Sequence, residues 1–234
     1  MADDDYRLRR AITFLAGLFF LALGVIFSTK AVLGTSPISS IPFVLSLGTG
    51  FSIGTMTVVV NAVFIILEIA ILGRLFKLKY MSQIVTLIIF SVLCDVFTYM
   101  FSGIVIEGYL FQWLSIVVSS LTLSFGIALE LAANVSVMPG EYLVSFAAFR
   151  AKMDFGKVKV IFDIANITIA ALFSFYFFSE LQGVREGTIY AACTTGFIVR
   201  MYTRMLKKVG FYKLPLRRFV WASSFSDVGS VGEV

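Results

Sequence analysis

Six apolar stretches, near residues 11–33, 52–73, 81–101, 110–133, 157–179 and 187–204, dominate the chain, and most are long enough to cross a bilayer. A helix needs about 20 residues to cover the hydrocarbon core, because each residue advances it only ~1.5 Å. A soluble helical domain does not carry such a set of runs. With 59% hydrophobic and 14% charged residues among 234, and a mean hydropathy of +0.95, the sequence predicts an all-α integral membrane protein with six transmembrane helices. The first run is long and has no small-residue cleavage site behind it, so it is expected to stay as a helix.

Charge predicts the orientation. Seventeen of the nineteen Lys and Arg residues fall in four clusters: Arg7, Arg9 and Arg10; Arg74, Lys77 and Lys79; Arg150, Lys152, Lys157 and Lys159; and the run from Arg200 to Arg218. Lys30 and Arg185 are left for the other side. The positive-inside rule then places both termini in the cytoplasm. The net charge of +5 follows from this topology, so the basic tail is expected to meet lipid headgroups or a cytoplasmic partner and no nucleic acid.

Shifting the sequence against itself by 102 residues lays Pro37 on Pro139, Gly54 on Gly156, Gly24 on Gly126 and Thr86 on Thr188 without a gap. Pro and Gly are scarce and set backbone geometry, so their coincidence outweighs matches among Leu and Val. The predicted organisation is a cytoplasmic segment 1–10, a first membrane repeat 11–104, a second 105–206, and a flexible basic cytoplasmic tail 207–234. Three spans per repeat is an odd number, so the two halves must cross in opposite senses, as in many transporters. Between the first and second spans of each half lies a short Pro-bearing segment, "GTSPISSIPFVLSL" and "VSVMPGEYLVSFAAF". Each is too short to span and reads either as a re-entrant half-helix or as an interfacial one.

Ser36 reads as an N-cap with Pro37 at the first helical position, where a missing N–H costs nothing, and Pro139 repeats the arrangement. Such helix starts at membrane depth would offer free N–H groups to a polar or anionic ligand group. Glu141 lies two residues after Pro139 and is either a helix-start carboxylate or a cation or proton site; Ser39 is its repeat mate. Asp163, inside the fifth span, is either paired with Lys159 or part of a transport site, and Asn61 is its mate. Glu68, Asp95 and Glu130 lie near predicted span ends and read as interfacial or snorkelled. In "GVREGT", Arg185 either meets a ligand at the entrance or ties the loop to Glu180. Cys94 and Cys193 read as small apolar residues, and without His no metal site or cofactor is expected.

The motifs "GTSPISSIPFVLSL", "TGFSIGT", "MPGEYLV", "FGKVKVIFD" and "GVREGT", in this order, resemble the YczE/YyaS/YitT-type family of bacterial multi-span membrane proteins over roughly residues 10–205. That resemblance implies architecture and no chemistry, since the family has no established substrate. Its members often carry an Asp two residues after each Pro; here Glu141 matches in the second half and Ser39 departs in the first. The expectation is a non-enzymatic permease or channel-like transporter for a small polar or charged solute. The alternative is a substrate-binding or accessory subunit that works with a partner, through the tail or as a homo-oligomer. Candidate binding residues are Ser36, Pro37, Ser39, Asn61, Pro139, Glu141, Asp163 and Arg185.

Overall fold

The computed structural model describes residues 2–153 and 155–208. Eight α-helices account for most of them: α1 (Ala2–Lys30), α2 (Pro37–Thr49), α3 (Ile53–Leu72), α4 (Ser82–Met100), α5 (Tyr109–Ala133), α6 (Pro139–Ala151), α7 (Phe155–Phe178) and α8 (Glu186–Lys208). No strand occurs among the described residues. Five helical segments are long and apolar enough to cross a membrane: Leu8–Lys30, Ile53–Leu75, Ser82–Met100, Tyr109–Ala133 and Phe155–Phe178. The expected sixth span, α8, has the length, with 23 residues, but not the uniform apolarity. Glu186 opens it, Thr194, Thr195 and Gly196 interrupt it, and Arg200, Arg204, Lys207 and Lys208 crowd its end. The basic tail beyond residue 208 lies outside the described residues.

Local chemistry fixes the helix ends. Ser52 accepts the Thr55 N–H at 3.1 Å and starts α3, and Asp95 of α4 accepts from the Gly54 N–H and the Ser52 hydroxyl, both at 2.8 Å. Asp95, half-buried at this exposed helix start, therefore caps α3. At Gly50 the backbone turns left-handed, φ 75°, and its N–H closes α2 on the Ser46 carbonyl. Asn134 closes α5 in the same conformation, and Arg10 of α1 donates from Nε to the Ala133 carbonyl at 2.8 Å and from its terminal nitrogen to that of Asn134.

Helices α1 and α5 form the central seam because glycine lets their backbones touch. A Cβ on Gly24 would stand 2.6 Å from the Leu123 nitrogen, and one on Gly126 2.4 Å from the Leu21 nitrogen. The 102-residue shift turns the first contact into the second, since 24 becomes 126 and 21 becomes 123. α4 packs on α1, and α8 packs on α5. Phe14, Leu18, Val25, Leu87, Phe90, Phe97 and Leu123 fill the space between α1, α4 and α5. α2 packs on α3 and α7, and α6 does the same. α3 also packs along α4, whereas α7 makes no comparable contact with α8.

The two Pro-bearing segments are helices of 13 residues each, about 20 Å long, and their bounds coincide under the same shift. α2 runs alongside α7: Ile38 lies near Phe162, and Gly48 faces the Phe177 ring. α6 runs alongside α3, with Leu143 beside Val60 and Phe64, and Phe146 beside Leu72. Their first turns meet. Ile38 Cδ1 comes within 2.4 Å of where a Gly140 side chain would begin, and the Phe64 and Phe162 rings close the same level edge to face at 5.3 Å.

Candidate functional site

The meeting point of the α2 and α6 N-termini gathers most of the residues singled out in the sequence. Ser36 is the N-cap residue of α2 by backbone angle, but its hydroxyl donates to the Ser39 hydroxyl at 3.0 Å and caps no N–H. Pro37 holds the first helical position, and the Ser40 hydroxyl donates to its carbonyl at 2.6 Å. Pro42, one turn further, has no N–H, so the Ile38 carbonyl lacks its i+4 donor and stays available at the meeting point. On the other side Met138 occupies the N-cap position and Pro139 the first turn, with Gly140 packed on Ile38.

Glu141 is half-buried in the first turn of α6, where the helix end favours a carboxylate. Its charge is felt by Glu130 of α5 on one side, and it feels Lys159 and Asp163 of α7 on the other. Lys159 donates to Asp163 Oδ1 at 2.6 Å, so the paired reading of Asp163 holds, and the ammonium also lies 5.4 Å above the Phe162 ring. Asn166 turns away from Asp163 and donates to the Phe162 carbonyl at 2.8 Å. Asn61 likewise donates to the Thr57 carbonyl at 2.9 Å, and both asparagines are left with a buried Oδ1 that accepts nothing.

Arg185 is not brought to this centre. It pairs with Glu186 at 3.5 Å, while Glu180 takes a hydrogen bond from Gln182. Its loop is stitched to the segment leading into α2: the Gly187 N–H donates to the Leu33 carbonyl at 2.9 Å, and Gly34, at φ 97°, has Thr188 Oγ1 where a Cβ would stand.

Two carboxylates overturn their interfacial reading. Glu68 is 0% exposed and Glu130 1%. Neither end is at an open surface: α6 covers the end of α3 with Tyr142 and Phe146, and α1 covers the end of α5 with the Gly17 backbone and Arg10. Gln83 Nε2 donates to Glu68 Oε2 at 2.7 Å, leaving Oε1 of both side chains without a partner. Tyr142 lies within electrostatic reach of both Glu68 and Glu130. Glu68, Tyr142, Glu130, Glu141 and the Lys159–Asp163 pair are thus successive electrostatic neighbours, with Gln83 bonded to the first of them. Sequence reasoning missed the middle of this series, although Glu130 and Tyr142 were visible as mates of Ser28 and Ser40.

Fold and site together define a helical membrane protein with a polar centre between two opposed half-length helices. The chain belongs to a family of unknown function (DUF6198), whose pattern matches residues 8–204. No curated protein and no solved structure matches it.

Proposed function

We propose that the protein is a permease or channel-like transporter for a small polar or charged solute, built as two inverted repeats of three spans with α2 and α6 as re-entrant half-helices. α8 serves as the sixth span, and both termini face the cytoplasm. The observation that carries this reading is the encounter of the two helix starts at Ile38 and Gly140. Backbone that stops short of a full crossing persists at membrane depth only where protein encloses it or a cavity wets it, and two N-termini together concentrate free N–H groups and positive helix ends. Ser36, Ser39, the Ile38 carbonyl, Asn61 and Glu141 add donors and acceptors around them, which suits a solute carrying both polar and charged groups. The reciprocal Gly24 and Gly126 contacts support a two-fold relation between the halves. The resemblance to the YczE/YyaS/YitT-type proteins is in keeping with the same architecture.

The experiment is uptake by the purified chain in liposomes, using ligands first selected by thermal shift in detergent. Saturable uptake that Glu141→Gln or Ser39→Ala diminishes is the expected result. Binding without uptake by the chain alone would overturn the permease and leave an accessory subunit that acts with a partner.

A further inference from the structure

The two halves of the chain differ in chemistry at matched positions. In the first half Ser28 is buried and satisfied: its hydroxyl lies 2.6 Å from the Thr35 hydroxyl and 2.6 Å from the Val25 carbonyl. The second half has Glu130 at the matching place and Val137 where Thr35 would be, so a larger, ionisable group replaces the hydroxyl while its partner is removed. The same happens at the half-helix starts, where Glu141 and Tyr142 stand in place of Ser39 and Ser40. Three ionisable side chains therefore gather at one end of the centre and only hydroxyls at the other.

Glu130 is the decisive member. It is 1% exposed, and neither carboxylate oxygen has a hydrogen-bond partner. The Met138 N–H faces it outside hydrogen-bonding geometry. The neighbouring charge is that of Glu141, of the same sign, and Tyr142 is the titratable neighbour on the same helix. From α1, the Gly17 backbone packs on Glu130 while Arg10 lies beyond it on the Ala133 and Asn134 carbonyls; α8 brings Tyr202 against Phe125, further up α5. A carboxylate buried without donors costs several kcal/mol as an isolated ion, so an occupant of opposite charge is required. No three His, Cys, Asp or Glu side chains converge among the described residues as a multivalent metal would need, which leaves a monovalent occupant.

We infer that Glu130, with Glu141 and Tyr142 beside it, is the binding site of a small monovalent cation, a proton or an alkali ion, whose occupancy is coupled to the solute site at the two helix starts. The coupling rests on the permease reading; the cation site itself does not. Binding and release take place in the half that the charge pattern assigns to the cytoplasm, since the hydroxyl-lined half offers no ionisable group.

The test is thermal unfolding of the detergent-purified chain in sodium chloride, with choline chloride holding ionic strength constant, repeated over a pH series without sodium. An alkali-ion site makes Tm rise with sodium, by roughly 2–5 °C at a tenfold excess over Kd. A proton site makes Tm depend on pH and leaves it indifferent to sodium. In either case Glu130→Gln, which keeps size and loses charge, flattens the dependence, and Arg185→Gln, away from the site, does not. An unchanged profile in Glu130→Gln, or a wild type indifferent to both ions, overturns the proposal. Should Glu130→Gln fail to fold, the infrared carboxyl bands of the unmodified chain decide: a band that changes on the sodium exchange or across the pH series supports the site, and none overturns it. Liposome assays separate the two readings, because cation-dependent stability without uptake defeats the permease alone, whereas downhill uptake with no cation dependence defeats the coupling alone.

Discussion

Lys159 and Asp163 retain 32% and 16% of their side-chain exposure, so their 2.6 Å pair is partly wet. Solvent screening limits what such an i, i+4 pair contributes, and Asp163→Asn should cost about 1 kcal/mol or less, a Tm decrease of a few degrees in a detergent melt. If Asp163 serves only to hold Lys159, solute binding survives that change. Glu141→Gln should fold like the wild type, since Gln fits the same first turn, and should weaken binding in a thermal-shift titration with the selected solute. Asp95→Ala tests another kind of carboxylate. It strips two hydrogen bonds from the start of α3 and should lower stability by about 1–2 kcal/mol, without altering solute binding. At this scale the sequence was read well where spacing decides, as for Lys159 four residues before Asp163. It was read poorly for Glu68 and Glu130, because distance along a helix does not say what covers the helix end.

Gly24 and Gly126 face opposing backbone, which cannot yield as a flexible side chain does. Gly24→Ala and Gly126→Ala should therefore each destabilise by roughly 1–3 kcal/mol, with similar losses because the contacts are reciprocal; Gly103→Ala, with nothing near it, should change stability little. Detergent melts of the three variants check this. The short helices were legible almost to the residue, since Pro37 and Pro139 fix their starts and the repeat fixes their equal length. The positions of the long helices were legible from hydropathy. What could not be read was that α6 folds back over the end of α3 while α1 closes over the end of α5, because nothing in one amphipathic pattern specifies its neighbour. The tell was pairwise: Ser28 with Thr35 in one half, Glu130 with Val137 in the other.

For the molecule as a whole, the proposed topology puts the loop between α3 and α4 in the cytoplasm and that between α4 and α5 at the exterior. With Cys193→Ser as background and Cys94 buried, an impermeant thiol reagent applied to intact cells should label Val105→Cys and spare Leu78→Cys, both exposed positions. Labelling of Leu78→Cys alone would invert the orientation. The matching bounds of α2 and α6 were legible in a few Pro and Gly residues, but the unequal surroundings of α3 and α7 were not. α3 is hemmed in by α2, α4 and α6, and 44% of its apolar window is buried, against 17% for α7, which has α2 and α6 alone as substantial neighbours. At positions matched by the 102-residue shift, α3 is thus a packed wall and α7 a loose one. Amides of α7 should exchange with solvent ahead of their α3 counterparts. In the proposed transport cycle, rocking about the α1–α5 seam would then begin on the α7 side, and lipid would follow the exposed apolar face of α7, making the fluidity of the surrounding bilayer a determinant of turnover.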